Sequence, residues 1–178
     1  PMGRTEKEKE FSNGLLEWGR RSRKDYPWRS TKDPFAILMA EIFLRQTTRK
    51  QVGRLFEYLS SKYPTPGALA EAPLCDLVAE LKPLGMHYTR ARVLKRLASG
   101  LLQKHKGRVP ENKDELLRLP GVGEYTADAV RCFAFGYDAS LVDVNTTRVL
   151  TRVFSFKSTK REPRKDRNLW EFASRLAL

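Results

Sequence analysis

Two acidic side chains and one glycine hairpin are the places where this sequence could do chemistry. Glu41 interrupts the run Phe35-Ala36-Ile37-Leu38-Met39-Ala40-Glu41-Ile42-Phe43-Leu44, which has almost no polar face at helical spacing. An unpaired buried carboxylate costs several kcal/mol, so Glu41 marks a polar pocket or lies on a wet side of its helix. Spacing alone does not choose between these, and the lack of a polar face favours the pocket. Asp143 stands directly ahead of Val144-Asn145-Thr146-Thr147-Arg148-Val149. A carboxylate there is a candidate general base or charge stabiliser, and equally a plain helix N-cap. The hairpin is Leu119-Pro120-Gly121-Val122-Gly123, in which two glycines permit positive φ or close backbone approach while Val122 points inward. The helix that follows offers unpaired N–H groups at the positive end of its dipole, a natural seat for a phosphate.

These residues have to be held by helices, because the chain shows no alternating Val/Ile/Thr-rich strands. Phe11, Leu15 and Trp18 share one face of a helix over 6–22, and Tyr26-Pro27-Trp28-Arg29 breaks it. Asp33-Pro34 is an N-cap with proline in the first turn, opening the helix that carries Glu41. Thr47 or Thr48 caps a third helix, and Asp143 or Asn145 begins the one that carries Val149, Leu150, Val153 and Phe154. Thr65-Pro66 and Ala72-Pro73 start two short helices, and Lys82-Pro83-Leu84-Gly85 is a stop before a long basic amphipathic helix from about Tyr88 to Lys104. Further helices run up to the hairpin, from Glu124 to Phe135, and through 164–178, with 155–163 a loop. About ten short helices without a strand predict an all-α fold.

Composition narrows the partners. The 178 residues carry 34 Lys+Arg against 21 Asp+Glu, a net charge of +13 spread along the whole chain, with 40% hydrophobic residues. That hydrophobic fraction supports a core and excludes a disordered basic tail. The spread charge favours nucleic acid over a membrane surface, and no apolar run is long enough to span a bilayer. Cys75 and Cys132 are the two cysteines and cannot build a disulfide framework or a four-thiolate site; His87 has no second ligand nearby, so no metal site is expected. This usage points to a reducing, intracellular setting, and with a nucleic-acid partner the expected place is the cytoplasm, in association with the nucleoid.

Three separated, collinear blocks carry a resemblance. Leu-Pro-Gly-Val-Gly-x-x-Thr-Ala at the hairpin, followed by Val142-Asp143-Val144-Asn145-Thr146-Thr147-Arg148-Val149, resembles the helix-hairpin-helix, Gly/Pro-Asp superfamily of DNA glycosylases. The segments Tyr26-Pro27-Trp28-Arg29-x-x-x-Asp33-Pro34-Phe35 and Glu41-Ile42-Phe43-Leu44-Arg45-Gln46-Thr47-Thr48, with Gly85-Met86-His87-Tyr88-Thr89-Arg90-Ala91, are similar to the branch holding adenine mismatch glycosylases and archaeal thymine–DNA mismatch glycosylases.

The resemblance implies two helical lobes with the active site in the cleft between them. One is a six-helix domain, 35–142, bearing the hairpin; the other combines 1–34 with 143–178. It implies catalysis by Asp143, which would steady the oxocarbenium-like sugar and activate water, leaving Asn145 as the better helix cap. It also implies a role for Glu41, which would read the flipped base and donate a proton or a hydrogen bond to it. Tyr125 falls where strand-cleaving relatives place a lysine nucleophile, and a phenol forms no Schiff base, so a monofunctional enzyme is expected. Gly123-Glu124-Tyr125-Thr126 looks like the thymine mismatch enzymes, whereas the adenine branch usually has serine at Tyr125. Gly121, Val122 and Gly123 would hold DNA, with Arg45, Gln46, Met86 and His87 filling the gap or touching bases. Trp28 and Arg29 would line the pocket or its rim, while Arg90, Arg92, Lys95 and Arg96 read as a solvated helix face.

Glu124 departs from the branch, which tends to be basic there. The branch also continues past Leu178 into four cysteines that hold a [4Fe–4S] cluster. No cofactor is therefore expected within this chain, and the cluster is expected in any longer form with those cysteines. The reading is a base excision enzyme acting as a monomer on mismatched double-stranded DNA, releasing thymine or uracil opposite guanine and binding no membrane. An adenine glycosylase acting opposite 8-oxoguanine and a non-catalytic helix-hairpin-helix DNA-binding module remain the alternatives.

Overall fold

The structure, a computed structural model, describes residues 4–177, which form helices and turns and, among the described residues, no strand. In chain order the helices are α1 (Glu6–Ser22), α2 (Pro27–Ser30), α3 (Pro34–Phe43), α4 (Arg49–Lys62), α5 (Pro66–Glu71) and α6 (Leu74–Leu81). A 3-10 turn at Lys82–Leu84 leads to α7 (His87–His105), α8 (Lys113–Leu117), α9 (Glu124–Phe135) and α10 (Val144–Phe154). A second 3-10 turn, Pro163–Lys165, precedes α11 (Arg167–Ala177). The starts follow from side chains that satisfy orphan N–H groups. Thr5 with Glu8 and Thr48 with Gln51 form capping boxes, Asp33 accepts from the Phe35 N–H, and Asn112 accepts from Asp114 and Glu115. Gly136, at φ 76°, ends α9 in the left-handed conformation that glycine adopts without penalty.

Two compact units result. The larger runs from Asp25 to Tyr137. Every residue of α3 after Pro34 is buried, as a helix that is apolar all round must be, and α9, α4 and α7 pack on it. α5 and α6 lie against α7, whose Leu94, Leu97 and Leu101 are fully buried. The smaller unit comprises the described residues before Asp25 and those from Asp138 onward. Its core is Val142, Leu150, Leu169, Ala173 and Leu176, walled by edge-to-face pairs of Phe154 with Phe11 and Phe172. The buried Glu8 carboxylate accepts from Arg175 at 2.6 Å, tying α1 to α11.

Three details differ from the sequence expectation. The unit boundaries fall at 24/25 and 137/138 rather than 34/35 and 142/143. The reason is packing: Trp28 stacks on Tyr26 at 4.8 Å and meets Phe56 edge-on within the larger core, while Val142 belongs to the smaller one. Pro27-Trp28-Arg29 makes the short helix α2 instead of only a break. Of the apolar face read for α1, only Phe11 packs, since Leu15 and Trp18 are 51% and 63% exposed.

Candidate active site

Glu41 is 7% exposed near the end of α3, and among the described residues no donor hydrogen-bonds its carboxylate. Burial pushes its pKa up to about 7, an effect only partly offset by the Arg29 and Arg45 guanidiniums. The acid is thus largely neutral just below neutral pH and can donate a proton or a hydrogen bond. A buried carboxyl with a raised pKa and no hydrogen-bond donor is a candidate functional group. Arg29 itself is exposed and lies over the Phe133 ring at 4.4 Å. Trp28, by contrast, is a core anchor, 5% exposed.

The hairpin joins α8 to α9. Gly121 has φ 76°, Val122 is tucked inward at 9% exposure, and the Val122 N–H donates to the Leu119 carbonyl at 3.1 Å. Gly123 is the N-cap of α9, without a side chain over the first amides, so the positive helix end stays open to an anion. A Cβ at Gly121 would collide with the Val93 side chain and would sit in the left-handed region besides. Gly121→Ala is therefore expected to lower stability by about 2 kcal/mol or more, measured by urea unfolding. An unchanged unfolding midpoint would show that the turn relaxes freely.

Glu124, the negative residue in this turn, does not face the anion seat uncompensated. The Lys113 ammonium bridges it and the buried Asp128, at 2.8 Å to each, with Arg131 at 3.8 Å from Asp128. The bridge draws the Glu124 charge toward α8. Tyr125 follows, half-buried in the first turn of α9.

Two loops beside the hairpin carry exposed side chains on left-handed backbone: Gln46 at φ 49° and Met86 at φ 48°. Non-glycine residues pay roughly 1–2 kcal/mol there and persist only where their surroundings hold them. Met86 is 48% exposed at the N-cap of α7 and is not a core methionine; His87 follows it, tilted against Tyr88. Arg45 is turned elsewhere, donating to the Gly121 carbonyl and, at 3.2 Å, to Thr126 Oγ1. Sequence reasoning missed Arg90: it is 4% exposed, the opposite of a solvated face, and is spent on backbone carbonyls. Lys95 likewise donates to the Ala70 and Ala72 carbonyls and is not free for DNA. A basic residue next to buried Ala91 and one turn before buried Leu94 was the available signal for Arg90.

In the smaller unit Asp143 is the N-cap of α10 and accepts from the Thr146 N–H at 2.7 Å. Asn145, expected to be the cap, instead donates its amide to Asp143 Oδ2 at 3.1 Å. The carboxylate is half-buried and held in one orientation by these two donors.

Two cysteines, Cys75 on α6 and Cys132 on α9, cannot supply the four thiolates of an iron–sulfur cluster. Among the described residues no three potential ligands cluster for any metal ion, so the residues present do not fit such a group. No described helix is long and apolar enough to cross a membrane.

Residues 39–175 match the family of HhH-GPD superfamily base excision DNA repair proteins. The chain is 42% identical over 167 residues to a thymine/uracil-DNA glycosylase of Pyrobaculum aerophilum, covering 93% of this chain and 73% of that one. A thymine-DNA glycosylase of Aeropyrum pernix is 42% identical over 163 residues, 91% of this chain and 73% of its own. The solved structure of a thermostable thymine-DNA glycosylase superposes with a TM-score of 0.88 at 35% identity, covering 96% of this chain and 78% of that one. With its hairpin, its all-helical units and this match, the chain belongs to the HhH-GPD superfamily of base excision DNA repair proteins.

Proposed function

We propose that the chain is a monofunctional DNA glycosylase that hydrolyses the bond between deoxyribose and thymine or uracil mispaired with guanine. The observation that carries this is the 42% identity, across 93% of the chain, to a protein named thymine/uracil-DNA glycosylase. The first turn of α9 grips a backbone phosphate, and Gln46 and Met86 fill the gap that the extruded base leaves. The neutral Glu41 carboxyl hydrogen-bonds the flipped base and makes it a better leaving group. As the bond to C1′ breaks, its electron pair departs with the base. The Asp143 carboxylate steadies the cationic sugar and takes a proton from the water whose oxygen adds to C1′. Tyr125 has no amine to form a Schiff base, so the product is an intact strand with an abasic site.

The test is single-turnover base release from duplexes bearing T·G, U·G or A·8-oxoguanine. Release of thymine and uracil but not adenine, with strands nicked only after alkali, is expected. Adenine release alone would overturn the base assignment, and nicking without alkali would overturn the monofunctional one. Tight duplex binding with no release from any substrate would leave a DNA-binding module.

A further inference from the structure

The strain at Gln46 and Met86 needs something to hold it, and one side chain reaches both loops. The Arg90 guanidinium donates to the Gly85 carbonyl at 2.9 Å and the Leu84 carbonyl at 3.3 Å, just ahead of Met86. On the other side it donates to Phe43 at 3.1 Å and to the Ile42 and Arg45 carbonyls, just ahead of Gln46. The Ile42 and Phe43 carbonyls end α3, where no further helical N–H is available to them, and the Arg45 carbonyl lies just beyond the helix. Arg90 thus caps one helix and staples a second loop to it with the same rigid fork.

We infer that Arg90 is a positioning residue for base extrusion, buried between the 42–46 and 84–86 loops and holding Gln46 and Met86 as one unit. The inference rests on the proposed role of those two side chains at the extruded base. The staple continues to the hairpin. Arg45, whose carbonyl Arg90 grips, sends its own guanidinium to the Gly121 carbonyl and Thr126. Seating a phosphate on the hairpin and presenting the two side chains are therefore mechanically linked through two arginines in series. A lysine at position 90 keeps the charge but offers a point donor that cannot span both loops.

The experiment compares affinities of the full chain for an intact duplex and for the same duplex with a stable abasic analogue opposite guanine. The ratio reports gap filling and needs no base release. Arg90→Lys is expected to cut the preference for the abasic duplex by about tenfold, while affinity for the intact duplex changes less than about threefold. On a Gln46→Ala/Met86→Ala background the same change should cost less than about twofold, because the residues it positions are gone. Additive losses on the two backgrounds overturn the inference, as does an unchanged ratio. Should Arg90→Lys unfold the chain, Gly85→Ala serves instead. Gly85 sits at φ 69° and ψ 169°, a region closed to alanine, with nothing within 4 Å of an added Cβ, so only the loop's backbone seat is disturbed. The same loss, and its disappearance with Met86→Ala, is then expected. A chain that released no base from any mismatch would overturn the proposed activity and leave this comparison readable. Additive losses in a chain that does release thymine would overturn only the role of Arg90.

Discussion

Asp143→Asn is expected to abolish base release while leaving the fold intact. The structure makes the two roles of this residue separable. Its Oδ1 caps α10 by accepting from the Thr146 N–H at 2.7 Å, and asparagine is as good an N-cap as aspartate. Its Oδ2 accepts from the Asn145 amide, which can rotate and offer oxygen to a new amide at position 143. The substitution thus keeps both bonds and removes only the charge and the basicity. General-base catalysis contributes roughly 10²–10⁴ and stabilisation of transition-state charge roughly 10²–10³, so a rate loss of about 10³ or more is expected. Unfolding free energy should stay within about 0.5 kcal/mol, whereas Asp143→Ala should lose about 1 kcal/mol as well, because the cap goes with the charge. Single-turnover excision and urea unfolding of both variants decide it. An asparagine variant that keeps more than about a tenth of the rate would reduce Asp143 to a cap.

What the sequence showed was whatever depends on local pattern. Proline after Asp33 and Thr65, a threonine cap at 47 or 48 and the Leu-Pro-Gly-Val-Gly turn each fix a backbone by chemistry within four residues, and each element formed there, with Thr48 as the cap. Glu41 was legible because one charge in an apolar run is an anomaly wherever the helix goes. Arg90 was not, because its neighbours on α7 are basic, and a helix with Arg92, Lys95 and Arg96 nearby reads as wet. Three of its partners are the carbonyls of Ile42, Phe43 and Arg45, 45 to 48 positions back, and a carbonyl leaves no mark in a side-chain pattern. The bond from Arg45 to the hairpin was silent for the same reason, its partner at Gly121 being backbone and 76 positions distant. Lys113 hid differently: it answers Glu124 and Asp128 across the hairpin, a pairing visible only once α8 and α9 are folded together. Long-range bonds to backbone are where a single sequence goes silent, and in this protein they are what set the loops around the hairpin.

Glu41→Gln is expected to exchange activity for stability, with a pH dependence that identifies the group. Below about pH 4.5 the carboxyl is protonated in both folded and unfolded chains and makes no difference. Between that value and about 7 the folded protein keeps a proton that the unfolded chain has released, so stability falls as pH rises through this window. A shift from 4.5 to about 7 amounts to a loss of about 3 kcal/mol, complete once the pH exceeds the folded value. Glutamine is neutral throughout and nearly isosteric. The variant should match the parent near pH 4 and exceed it by about 3 kcal/mol near pH 9, read from urea unfolding at both. Excision should move the opposite way. If the neutral carboxyl gives the base a proton or a strong hydrogen bond, the parent's rate declines as pH climbs through about 7. The glutamine variant, able to donate a hydrogen bond but no proton, should then be slower by about 10² and lose that decline. Equal stability gaps at both pH values would mean that the charge is solvated or paired in the folded state. A glutamine variant as fast as the parent would mean that Glu41 only shapes the pocket. The two readouts are independent, so a buried acid that destabilises the fold without aiding the reaction would be exposed as such.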